Sequence, residues 1–180
     1  MTNENKRLNS LIKPLVKNFA PPDNLTVSQW ADKHRRLSAE SSAEPGQWRT
    51  ERTPYLKAAM DSFTDPNVSN IVFVAASQVG KTELELNIIG YIIDEDPGSI
   101  LYIHPSVVEA EKFSRQRIAP MIRDCKVLKE RVADDKAKDG ANTLLQKTFP
   151  GGVLTITGSN SASALSSTPI RYVIGDERDR

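Results

Sequence analysis

Apolar and polar positions interleave from the start of the chain. Leu8, Leu11, Ile12, Leu15 and Val16 alternate with Lys6, Arg7, Lys13 and Lys17 over residues 1–24. That spacing reads as a frayed tail or as a short amphipathic helix that docks a partner. "LTVSQWADKHRRLS" then has helical character, with Thr26 or Ser28 as cap and Trp30 with Leu37 on its apolar face. "SAESSAEPGQWRT" reads as a loop broken by Pro45-Gly46. From Pro54 to Phe63, Leu56, Ala59, Met60 and Phe63 fall at helical spacing until "DPN" ends the run.

The period then changes. "NIVFVAAS" (70–77) is a continuous run of β-branched and aromatic residues between polar ones, which predicts a strand buried on both faces. Lys81 to Asp94 predicts a helix apolar most of the way round, and "ILYIHPS" a second buried strand. "VVEAEKFSRQRIAPMIRDCKVLKERV" is helical with a break expected near Pro120. "NTLLQKTFPGGVLTITGS" predicts a hairpin across Pro150-Gly151-Gly152, with Leu144, Thr148, Val153, Thr155 and Thr157 among its strand residues. A small polar segment leads to the last strand, "IRYVIGDE". Strands alternating with helices indicate an α/β domain with a mostly parallel sheet flanked by helices. The expected division is an N-terminal arm with its helix over 1–45 and the main domain over 46–180.

Composition narrows this only a little. A chain of 180 residues, 38% hydrophobic and 26% charged, fits one globular domain with a polar surface. A net charge of +1 leaves no global basic field, so a nucleic-acid partner would need a local basic strip. The single Cys125 excludes an internal disulfide and a cysteine-rich metal site, and His34 and His104 lie in separate elements with no ligand spacing. No apolar run reaches the roughly 18 residues that would span a bilayer, and "MTNENKRLNS" lacks a secretory apolar core. The expectation is a cytosolic protein without a membrane partner.

The chemistry-bearing stretch is "AASQVGKTE", Ala75-Ala76-Ser77-Gln78-Val79-Gly80-Lys81-Thr82-Glu83. A Gly-Lys-Thr tripeptide is weak alone, but here a strand is predicted before it and a helix begins at Lys81-Thr82, the context a phosphate loop requires. Backbone N–H groups of such a loop and the first helical turn point at an anion. Gly80 lets the backbone approach the phosphates, Lys81 reaches the β/γ-phosphates, and Thr82 offers its hydroxyl to Mg²⁺. Ala75 replaces the usual first glycine, which is tolerable where φ stays negative.

Asp176-Glu177 ends the last strand. Adjacent carboxylates repel, and a strand end that carries both has a use for a cation or for acid–base chemistry, unless "DERDR" is simply a solvated charged run. In a phosphate-loop ATPase the aspartate holds Mg²⁺ through water and the glutamate polarises the attacking water.

Taken in order, "LTVSQWADKHRRLSAESSAEPGQWRTERTPYLKAAMD", "ASQVGKTE" and "TFPGGVLTITGSNSASALSSTPIRYVIGDERDR" make residues 21–180 resemble the large terminase subunit of tailed bacteriophages, in its lambda-like branch. The resemblance implies a P-loop NTPase of the ASCE, RecA-like class that uses ATP and Mg²⁺ to drive double-stranded viral DNA into a procapsid in the host cytoplasm. It implies a small terminase subunit, a portal ring and a homo-oligomeric ring or dimer of the full-length protein as partners, and a C-terminal nuclease absent from this apparently truncated chain. By position, Ala75 to Thr82 form the ATP loop, Lys81 and Glu177 are catalytic, and Thr82 and Asp176 serve the metal. "RTPYLKAAMD" resembles the family's adenine-side segment, with Trp48 and Tyr55 as candidates to stack on the base, each equally readable as core.

One departure matters chemically. Related terminases often carry an arginine within the loop, just before its second glycine, where this chain has Ser77 and Gln78. Either that charge comes from elsewhere, a neighbouring subunit being one source, or hydrolysis is slow. Two alternatives stand beside the motor: a silent nucleotide-binding fragment and a helicase-type translocase. Lys112, Arg115, Arg117 and Arg123 are candidate DNA contacts on one helical stretch, with a solvated face as the blander reading. Gly158 to Ser167 is a candidate DNA-facing loop.

Overall fold

A computed structural model describes residues 25–40, 42–132, 143–160 and 169–176. The first helix, α1 (Val27–His34), starts at Thr26, whose hydroxyl accepts from the Gln29 N–H while the Gln29 side chain accepts from the Thr26 N–H. This reciprocal box satisfies two donors that a helix start otherwise leaves orphaned. Leu37, expected on the face of that helix, lies instead in β1 (Arg36–Leu37), paired antiparallel with β2 (Gly46–Gln47) inside the expected loop. That ribbon joins the two sides of the expected 45/46 boundary.

Helix α2 (Pro54–Ser62) has proline in its first turn, where no N–H is needed, and buries Leu56 and Met60. Helix α3 (Lys81–Asp94) buries Leu84, Leu86, Ile88, Ile89, Ile92 and Ile93, because α1, α2 and the helical segment Lys126–Arg131 pack against it and its apolar residues share one core with those of the sheet. Gly90 is required by close approach: a Cβ there would stand 2.2 Å from the buried Trp30 ring. The Trp30 indole N–H is satisfied by the Asp94 carboxylate at 3.0 Å.

The sheet places its strands side by side in the order Gln146–Phe149, Gly152–Gly158, Ile100–His104 and Tyr172–Gly175. Strand β3 (Ile100–His104) is parallel to β5 (Gly152–Gly158) and to β6 (Tyr172–Gly175), and β4 (Gln146–Phe149) is antiparallel to β5. The protein is therefore α/β with a mostly parallel sheet and helices against it. The β4–β5 turn is Pro150-Gly151, with Gly151 at φ +90°, the backbone that a turn of this kind demands of its second residue. Leu144 precedes the hairpin strands rather than joining them. Ile100, Tyr102, Leu154 and Ile156 form the sheet's share of the core.

Two further expectations change. Residues 70–76 form no strand: Val72 is 85% and Val74 90% exposed, and only Phe73 packs partly against the core. A strand borrows its hydrogen bonds from a neighbour, and among the described residues no backbone pairs with this run. Second, Pro120 does not break the helical stretch. Helix α4 (Val107–Phe113) runs through a π turn (Ser114–Ile118) into α5 (Ala119–Asp124), and the Ala119 N–H donates to the Ser114 carbonyl. The wider turn accommodates a residue with no N–H and a bulky ring. The break comes at Cys125, extended at φ −91° and ψ 111°, before α6 (Lys126–Arg131).

Candidate nucleotide site

The chain passes from the extended run through a turn at Ser77–Gly80 into α3. Gln78 (φ +59°) and Gly80 (φ +86°) adopt left-handed backbone, and Ala75 is not among the positive-φ residues. Glycine is needed at 80 for its conformation, because a Cβ would meet only Leu56 at 3.4 Å. The missing glycine at 75 costs nothing for the same reason. Gln78 bears left-handed strain of about 1 kcal/mol, as segments that hold a ligand often do.

Among the described residues no side chain caps α3, so its first-turn N–H groups remain open toward the loop. The Lys81 ammonium folds back to the Ala75 carbonyl at 3.5 Å, across the mouth of the loop. Ala76, Ser77 and Gln78 are exposed, whereas Val79 to Thr82 are half-buried. Tyr55 is exposed and its hydroxyl donates to the Val79 carbonyl at 3.1 Å, which places it on the loop. Trp48 is buried, with its indole N–H given to Thr50 Oγ1 at 3.1 Å. The two adenine candidates thus separate: Tyr55 stands at the site and Trp48 in the core.

A cavity of about 660 Å³ opens beside the loop, lined by Lys81 and Glu85 on α3 and by Tyr172 to Gly175 on β6. It brings the loop lysine and the strand that leads into Asp176 to one place. The Asp176 N–H donates to the Ile103 carbonyl at 3.1 Å, which extends the β3–β6 pairing to the acidic strand end. Tyr102 on β3 is fully buried, its hydroxyl donating to Glu85 and its ring stacked on Phe113 at 4.5 Å. Burial, then the charge of Glu85 and its hydrogen bond, with Asp176 adding to them, push the Tyr102 phenol far above its ordinary value, so it stays a donor. Glu177 lies outside the described residues.

Elsewhere the structure separates what spacing alone could not. Arg115 pairs with Glu111 at 3.4 Å, Arg123 with Asp124 and Glu40 at 2.7 and 3.0 Å, and Arg117 with Glu83 at 2.6 Å; Lys112 is exposed. Three of the four candidate DNA contacts therefore already carry acidic partners. Of the polar loop, only Gly158 to Asn160 lie within the described residues. His34 lies near Asp94 and Glu95, but the Asp94 oxygens already accept from Trp30 and Arg131. His104 is buried against Tyr102 and Phe113. Sequence reading missed Glu83 and Glu85. Their only signal is a pair of acids in the early turns of an otherwise apolar helix.

Known proteins resemble this chain over most of its length. It is 32% identical over 132 residues to the large terminase subunit of Enterobacteria phage P21, covering 73% of this chain and 20% of that protein. It is 27% identical over 146 residues to the large terminase subunit of Escherichia phage lambda, covering 81% of this chain and 22% of that protein. The chain thus spans about a fifth of the length of these relatives. No solved structure matches. Residues 42–180 match the family described as phage terminase large subunit gpA, ATPase domain, and the chain belongs to that family.

Proposed function

We propose that this chain is the ATPase motor portion of a terminase large subunit, which hydrolyses ATP to drive double-stranded viral DNA into a procapsid. The observation that carries this reading is the shared cavity, where Lys81 at an uncapped helix start meets the strand leading to Asp176. The residues present fit a magnesium nucleotide: open N–H groups and an ammonium for the phosphates, a half-exposed Thr82 hydroxyl and a strand-end carboxylate. Thr82 and Asp176 would hold Mg²⁺, which when bound neutralises charge on the phosphate oxygens.

In this mechanism the loop amides from Ala75 to Thr82 cradle the phosphates and Lys81 leaves the Ala75 carbonyl to pair with them. Glu177 orients water as the general base, and Tyr55 borders the base. Most of the rate enhancement comes from fixed dipoles and charges that stabilise the transferring phosphoryl group. Small-subunit, portal and DNA partners, a ring or dimer of the full-length protein and a host-cytoplasmic setting accompany this function.

Lys81→Ala is expected to abolish ATP binding in a calorimetric titration, and unchanged affinity sinks the assignment. The uncharged, exposed Ser77 and Gln78 favour slow intrinsic turnover. Phosphate release measured with and without DNA separates a slow motor from a silent nucleotide-binding fragment.

A further inference from the structure

The first turn of α3 holds an ion triad. Glu83 Oε2 accepts from Arg35 Nη2 at 3.0 Å, and its Oε1 accepts from Arg117 Nη2 at 2.6 Å. The side chains are 2% exposed for Arg35, 15% for Glu83 and 27% for Arg117. Arg35 Nη1 donates to the Arg36 carbonyl, and Arg35 Nε is buried with no hydrogen-bond partner among the described residues. For stability alone this is a poor use of core volume. Buried charges lose hydration that their mutual attraction does not fully return, and apolar residues of similar size hold such sites as well or better.

The placement points elsewhere. Glu83 lies two residues beyond Lys81, in the turn whose open N–H groups face the loop. Arg35 comes from the C-cap of α1, and Arg117 from the π turn, so three separate elements meet on one carboxylate. The carboxylate accepts a guanidinium on each oxygen, so α3 cannot rotate about its axis or slide without breaking one bond. A lone carboxylate so close to a triphosphate would repel it, whereas two guanidiniums leave the triad with a net positive charge. Lys81, Thr82 and the amides before them are held on the same turn.

We propose that Glu83, clamped between Arg35 and Arg117, is a positioning residue for the nucleotide. It sets the rotation of the first turn of α3 so that the loop amides, Lys81 and Thr82 converge on the phosphates. This rests on the nucleotide-loop reading above.

Two substitutions distinguish positioning from simple charge. Glu83→Gln removes a negative charge, and by field alone ATP binding would tighten. Arg117→Lys keeps the positive charge but loses the planar fork, and by field alone binding would not change. Positioning requires both to weaken it. In the full chain, the expected rise in the dissociation constant for ATP with magnesium is about tenfold for Glu83→Gln, or ~1.4 kcal/mol, and about threefold for Arg117→Lys. Thermal melts without nucleotide show which variants remain folded; if Glu83→Gln does not fold, Arg117→Lys, at the most exposed member, decides alone. Unchanged or tighter binding in the folded variants overturns the proposal. Lys81→Ala runs beside them: if it binds ATP normally, the nucleotide-loop reading itself fails, whatever Glu83 does.

Discussion

The two flanks of the candidate nucleotide loop are both apolar, and they end in opposite environments. Helix α3 buries Leu84, Leu86, Ile88, Ile89, Ile92 and Ile93. The run before the loop leaves Val72 and Val74 in the open and tucks in only Phe73. Hydrophobicity does not separate them, but the source of their hydrogen bonds does. A helix satisfies its interior N–H and C=O groups within itself, so its apolar surface is free to pack wherever α1, α2 and the sheet offer cover. A strand is finished only when a second backbone lies alongside. The cavity between Ile71, Phe73 and the β6 residues Tyr172 to Gly175 is the space left between those two segments.

The sharpest test of the helical flank is Gly90→Ala. Its Cβ would stand 2.2 Å from the buried Trp30 ring, where α1 packs on α3. The expected loss is about 2–3 kcal/mol in urea unfolding, because a packed core does not yield to an added methyl. A neutral or stabilising result, as Gly→Ala gives on an open helix face, would show the helical layer to be loosely packed and erase the contrast.

A smaller effect comes from the tie between α1 and α2. Asp61 accepts from the Ser28 N–H at 3.1 Å and pairs with Lys57. Burial pulls its pKa upward, but the hydrogen bonds from Lys57, Ser28 and Thr26 outweigh it and leave the carboxyl below its ordinary 3.8. A depressed folded value means the stabilisation is present above the unfolded pKa and is lost as the pH falls through the folded one. Unfolding followed between pH 5 and about 2 should therefore show a steeper acid loss in the parent than in Asp61→Asn. Identical profiles would remove Asp61 from the account. The extended run 70–76 contains no titratable side chain to respond in this range.

The smallest effect belongs to the other flank. Val74→Asp is expected to change stability by no more than about 0.5 kcal/mol, as an exposed substitution does. A loss of several kcal/mol would place the run against a neighbour and end the comparison.

How much of the site was legible follows the same division. Gly80, Lys81 and Thr82 could be picked out as a candidate phosphate loop because such a motif is contiguous and its helix begins within it. Ala75 was readable too, since only positive φ excludes a Cβ. The difference between Trp48 and Tyr55 was not, because both are aromatic and only packing decides which is enclosed. Glu83 meets Arg35 and Arg117 across 48 and 34 residues, and Glu85 meets Tyr102 across 17. No local spacing announces such pairs. Pro120 misled in the other direction: it forbids an ordinary helical turn, but the π turn before it is an accommodation that only the packed helix reveals.

By itself the amino-acid sequence determined the helical segments, the hairpin at Pro150-Gly151 and the family, and it marked the candidate loop. Those rest on hydrogen bonds and turn preferences that close over a few residues, and on motifs that run unbroken. Tertiary structure alone decided that β3 lies between β5 and β6, that residues 70–76 stay unpaired beside β6, and that one carboxylate on α3 gathers arginines from two distant elements. Those depend on which surfaces meet after the local pieces exist, and distant backbones and buried charges find their partners only in the folded chain.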